Sequence, residues 1–254
     1  MNDQPCHHPC LLFALKREAA PFLRGVRPVA ALAGGPCPAF LCGPPERQVV
    51  VLETGVGARA VLACFDWLLA KPRVQGAEYR PGLILSAGFS GALTEKLQVG
   101  DVVQASGVVD GSGKEWPITW PVREGAGPLI TGRLFCSDRF IGDTGAKLAL
   151  GHARRAVAVD MESAVIARLC HEQQLPFGCL RVISDDVRVP LHAAIFELIE
   201  GESVSYRRLA WLLLRSPWMS GQLVRLARQT SLAALRLAEA TQRLLDSEYF
   251  TKKK

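Results

Sequence analysis

Short apolar runs alternate along this chain with amphipathic stretches of roughly ten to fifteen residues, as strands and helices taking turns would produce. The run 11–15 (LLFAL) reads as a buried first strand leading straight into a helix with a polar start, Lys16-Arg17-Glu18. Residues 28–45, rich in Pro and Gly, read as a loop or a weak hairpin. Residues 48–53 (QVVVLE) predict a strand, 54–57 a turn and 58–70 a helix, with 71–81 as a connector. Further strands are expected at 83–87 (LILSA), ending in Gly88-Phe89-Ser90-Gly91, and at 101–106 (DVVQAS). Residues 107–128 predict an excursion from the sheet, after which LITGRLFCSDRFIG and a charged, helix-like patch return to it. Residues 156–186 then read as strand, helix, strand, the helix covering 161–174. The expected class is α/β: a three-layer α/β/α fold with a central, mainly parallel mixed sheet covered on both faces.

The last quarter has a different pattern. Residues 206–214 (YRRLAWLLL) predict a short amphipathic helix. Beyond it Leu223, Leu226, Ala227, Thr230, Ala234, Leu237, Thr241 and Leu244 follow helical spacing, and Arg225, Arg228, Arg236 and Arg243 fall off that stripe. One reading is a helix that closes a side of the sheet and shows water a basic face. The other is contact with an anionic membrane surface, with Trp211, Trp218 and the leucines at 212–214 on the apolar side. The chain thus divides into an α/β domain, 1–202, and a basic helical extension, 203–254, packing on it.

In α/β sheets ligands collect at the carboxyl ends of strands. Three carboxylates follow such ends: Glu18, Glu162 and Asp185. Singly, each has a structural explanation, Glu18 and Glu162 as first-turn helix residues and Asp185 as an N-cap. Together they suit the breaking of an N-glycosidic bond. That reaction needs a proton for the leaving base, a nucleophile on the opposite face, and a grip on the sugar hydroxyls.

Other chemistries fit poorly. Gly55-Val56-Gly57 after a strand lacks the third glycine of a dinucleotide fingerprint, since Ala60 stands there; its amides still suit a small anionic or hydroxylic ligand. Gly88-Phe89-Ser90-Gly91 fails as a nucleophile elbow because Ala92 occupies the last glycine position. Residues 6–10 (CHHPC) read as a loose terminal segment rather than a zinc site. No metal or cofactor is expected.

The net charge is +6, yet residues 201–254 hold ten Lys or Arg against four Asp or Glu, and the first 200 residues hold 20 of each sign. A basic field for nucleic acid is therefore not expected. Eight scattered cysteines point to reduced thiols and a cytoplasmic setting. No apolar run approaches the roughly 20 residues of a bilayer span, and no secretion signal is read at the start. Any membrane contact would be peripheral, on the inner face.

The blocks VVLETGVGARA, LILSAGFSGALTEKLQVGDVV, AVAVDMESAVIARLC and PFGCLRVISDD resemble, in order, those of the nucleoside phosphorylase superfamily, and within it the methylthioadenosine/S-adenosylhomocysteine nucleosidase-like proteins. The resemblance implies that Met161 and Glu162 hold the ribose and that Ser184 and Asp185 face the base, Asp185 as the acid. It implies that Phe140, within SDRFI, stacks on the base and that Glu18 activates water. Phosphorylases of this kind carry a glycine and an arginine after the first strand to hold phosphate. Here the stretch is Ala14-Leu15-Lys16-Arg17-Glu18, without glycine. Where the nucleosidase block has a serine, this chain has Phe89 after Gly88, with Ser90 next. Water is thus favoured as nucleophile, while Lys16, Arg17 and the Thr54-Gly55 turn keep a phosphate site in play. The tail RRLAWLLLRSPWMSGQLVRLARQTSLAALRLA resembles that of the hopanoid-associated phosphorylase subgroup. That implies release of adenine from adenosylhopane, a nucleoside with a lipid tail. A homo-oligomer is also expected, because sites completed by a neighbour are common in the superfamily.

Overall fold

The computed structural model describes residues 6–120, 129–188 and 219–246. At its centre β1 (Pro9–Phe13) runs parallel to β4 (Val49–Glu53) on one side and to β7 (Leu83–Ala92) on the other. Side-chain alternation splits these strands between two cores. Cys10, Leu12, Val50, Leu52 and Ile84 face α2 (Ala58–Leu69) and α4 (Ser163–Glu172). Leu11, Phe13, Val51 and Leu85 face α1 (Lys16–Val26) and α5 (Met219–Leu244). Strands buried on both faces read as unbroken apolar runs, which is why these were visible in the sequence.

The sheet continues from β7 to the parallel β12 (Phe177–Asp185), then to β8 (Val102–Val109), antiparallel to β12. Next come β10 (Ile130–Cys136), parallel to β8, and β11 (Ala158–Asp160), parallel to β10. At this end the sheet closes on itself. Ala158 and Val159 pair antiparallel with Ala92 and Gly91 of β7. Closure sets the residues after β11 beside the end of β7, and Asp185 of β12 pairs with Gly91 from the other side. α3 (Thr144–Arg154) takes the place of the charged patch, capped by the Asp143 carboxylate, which accepts from the Ala146 amide at 2.7 Å.

Several boundaries differ from the sequence reading. The Pro/Gly-rich segment is a true hairpin, β2 (Pro28–Ala31) and β3 (Ala39–Cys42), added antiparallel to β4. The connector holds a small hairpin of β5 (Arg73–Val74) and β6 (Ala77–Glu78). β7 does not stop at Ala87 but carries Gly88-Phe89-Ser90-Gly91 within it, held by partners on both sides. β8 runs on to Val109, and β9 (Glu115–Pro117) folds back on it, so the excursion begins later than expected. Nor are residues 6–10 loose. Cys6 bridges to Tyr79, Cys10 is fully buried in β1, and no metal-holding group of His, Cys, Asp and Glu occurs among the described residues.

The 206–214 helix lies outside the described residues. α5 buries Leu226, Ala233, Ala234, Leu237, Ala240, Thr241 and Leu244. Ala227 of the expected stripe is exposed, and Ala233 faces the core in its stead, one helical turn from Leu237. Arg225, Arg228, Arg236 and Arg243 are exposed, as the pattern predicted. No described helix is long and apolar enough to cross a membrane.

Candidate active site

Glu18 sits in the first turn of α1 yet is buried. One carboxylate oxygen accepts from the Leu15 amide at 2.9 Å and so caps its own helix; the other crosses to the Phe89 amide of β7 at 2.7 Å. Gly88 makes this crossing possible, since a Cβ there would lie 3.1 Å from Oε1 of Glu18. Burial raises the Glu18 pKa, opposed by the two amide hydrogen bonds and by the charges of Arg181 and Arg17.

Glu162 occupies the N-cap position of α4 without capping it. Asp160 does that work, accepting from the Ser163 amide at 3.3 Å and from its hydroxyl at 2.6 Å. Glu162 is thereby released to reach the Gly57 amide at 2.8 Å. Gly57 has φ +88°, a conformation that favours glycine, and its turn presents that amide. Burial, with the Asp160 charge beside it, pushes the Glu162 pKa up to about 7. The counter-charge is Arg181, fully buried in β12. Its guanidinium donates to Asp160 at 2.6 Å, to the Ser86 carbonyl and hydroxyl at 3.1 and 2.9 Å, and to the Leu180 carbonyl at 3.0 Å.

Asp185 ends β12 against Gly91, whose absent side chain leaves it room: a Cβ there would lie 3.0 Å from Oδ2. The Ser184 hydroxyl donates to Oδ1 at 3.1 Å, and the buried Lys147 ammonium bonds Oδ2. Beside them, the Ser90 hydroxyl is buried without a partner among the described residues.

These groups line one cleft of about 130 Å³, open to solvent. Glu18, Arg17, Phe89, Ser90, Phe140, Met161, Glu162, Ser184 and Asp185, expected from the sequence, all border it. Beneath lies a small cavity of about 20 Å³, bordered by Glu18, Thr54, Gly88, Glu162 and Arg181. Two expected residues stand apart. Lys16 is exposed and borders neither space, and Gly55 shapes the turn without reaching the cleft. The Thr54 hydroxyl is turned to the carbonyls of Phe13 and Gly55 at 3.3 and 3.0 Å. Of the expected phosphate or water site, Thr54 borders the small cavity and Arg17 the cleft.

The family model described as "Phosphorylase superfamily" matches residues 121–205. A 5'-methylthioadenosine/S-adenosylhomocysteine nucleosidase of Staphylococcus aureus is 27% identical over 165 residues, covering 55% of this chain and 69% of the relative. Over these stretches the chain is similar to proteins of the phosphorylase superfamily. Among solved structures, the Helicobacter pylori 5'-methylthioadenosine/S-adenosylhomocysteine nucleosidase with butyl-thio-DADMe-Immucillin-A superposes with a TM-score of 0.70 at 18% identity, covering 96% of this chain and 99% of that one. The futalosine hydrolase of the same organism gives 0.66 at 18% identity, over 94% and 97%. At such identities these structures speak to the fold.

The sequence reading missed five contributors to the site. Arg181 and Asp160 were passed over inside apolar strands. An arginine within a run buried on both faces needs a buried acid, and Asp160 ends a nearby strand; that requirement was the available signal. Lys147 lay in a patch read only as charged. Leu226 and Thr230 of α5 border the cleft, a contact that no local pattern announces.

Proposed function

We propose that this chain hydrolyses the N-glycosidic bond of an adenine nucleoside. Asp185 protonates the departing base, with Phe140 against it and Ser90 and Ser184 as hydrogen-bonding partners. Met161 and Glu162 hold the ribose, and Glu18 activates the water. The observation that carries the reading is the small cavity under the cleft. Its 20 Å³ exceeds the roughly 10–15 Å³ that one water needs. Two carboxylates and an arginine surround it, and the paired carboxylates suit a neutral water better than a phosphate anion. A base with raised pKa suits this task, because it is a stronger proton acceptor near neutral pH. Clustered carboxylates also favour the cationic sugar of the transition state.

Adenine release from methylthioadenosine, S-adenosylhomocysteine and adenosylhopane, with and without phosphate, tests the proposal. We expect release without phosphate, and a loss of at least a hundredfold in Asp185→Asn, general acids contributing about 10²–10⁴. Absence of release from every substrate would leave a silent nucleoside-binding protein; a phosphate requirement would overturn hydrolysis.

For the substrate's far end we propose the hopane-linked nucleoside, reached from the cytoplasmic membrane face. Two observations support it. Leu226 and Thr230 extend the apolar cleft wall onto α5. Farther along α5, Leu232 and Leu235 are 44% and 53% exposed, between the exposed Arg228 and Arg236. Because α5 is part of the core, the test is charge reversal and not truncation. Arg225, Arg228, Arg236 and Arg243→Glu together should abolish co-sedimentation with anionic vesicles, and unchanged partitioning would exclude the membrane role.

A further inference from the structure

Lys147 is 1% exposed, a costly place for an ammonium. It lies on the same face of α3 as Gly151, where a Cβ would come within 2.3 Å of the Leu93 carbonyl, so the helix is seated in tight contact. From there Nζ donates to Oδ2 of Asp185 and, at 3.4 Å, to the Asp186 carbonyl. On the other side of the carboxyl, Oδ1 takes only the Ser184 hydroxyl among the described residues, at 3.1 Å.

We infer that Lys147 is a positioning residue that acts through Asp185, a role that rests on the hydrolase reading above. An ammonium has three donors and no acceptor, so a proton on Oδ2 could not face it. When the carboxyl carries a proton, that proton is thereby confined to Oδ1, whose serine neighbour can turn to accept as well as donate. When the glycosidic bond breaks, its electron pair leaves with the base. The Oδ1–H bond breaks too, the proton goes to a purine nitrogen, and a carboxylate remains. Lys147 keeps its own protons and neutralises that carboxylate at the moment it forms, in a site already holding Glu18, Glu162 and Asp160. Preorganised charge of this kind stabilises the transition state more than the bound substrate.

The experiment compares the wild type, Lys147→Met, Asp185→Asn and the double variant on two substrates. One is the adenine nucleoside turned over fastest. The other is a p-nitrophenyl riboside with the same 5' group, whose leaving group departs without a proton. Lys147→Met should lower kcat on the nucleoside at least tenfold with KM within twofold, and leave the p-nitrophenyl rate within threefold of wild type. The double variant should be no slower than Asp185→Asn. Equal losses on both substrates, or no loss on the nucleoside, would overturn the role while leaving the hydrolase reading intact. A wild type that releases no adenine would sink that reading first. If Lys147→Met fails to fold, Lys147→Gln, which keeps a donor and removes the charge, is read by the same criteria.

Discussion

Glu162→Gln should stabilise the protein while impairing it, by an amount that depends on pH. In the folded chain burial and the neighbouring Asp160 hold the Glu162 pKa at about 7, against an ordinary 4.5. Between those values the folded state keeps a proton that the unfolded state has lost. The associated stability is therefore fully present below pH 4.5 and is lost as pH rises through 7. The shift corresponds to about 3 kcal/mol at 1.36 kcal/mol per unit. Glutamine cannot titrate, and its amide oxygen can still accept from Gly57. Urea unfolding of both proteins from pH 5 to 8 should give curves that nearly meet at pH 5 and separate by about 2–3 kcal/mol at pH 8, the variant being the more stable. In the wild type, kcat/KM should rise with pH toward 7 as the ribose-binding carboxylate ionises, and the variant should lack that limb. Parallel stability curves, with a constant offset across the range, would refute the reasoning, because they would mean that Glu162 titrates alike in both states.

Two further substitutions probe the seating of the acid and the floor. Gly91→Ala would place a Cβ 3.0 Å from Oδ2 of Asp185. Steady-state kinetics should show kcat reduced by about ten- to a hundredfold, the scale of a small misplacement, with the melting temperature little changed. Arg181→Met strands the buried Asp160 and should cost about 3–5 kcal/mol in urea unfolding. Adding Asp160→Asn should recover part of that loss, and strict additivity would show that the two side chains are not coupled.

Different parts of this molecule were legible to different degrees, and the reason is the range over which each residue's role is decided. The strands around β1 were readable because burial on both faces demands unbroken apolar runs, and α5 because a buried stripe demands helical spacing. Glu18, Glu162 and Asp185 could be picked out because strand ends in α/β sheets gather at ligand sites, a rule that needs only the strand ends. The hairpin at 28–45 and the extension of β7 through residue 91 were not readable. Their small residues are held in strands by partners distant in sequence, and the antiparallel closure of β11 on β7 leaves no local mark. Lys147 is the strongest case. On a helical wheel it looks like any solvated lysine, and only the seating of α3, set by the contact of Gly151 with Leu93, turns it inward. A buried cation has to answer to a specific anion, and here that anion is the carboxyl proposed to deliver the proton. The residue least visible in the sequence is thus the one whose placement most restricts how Asp185 can work.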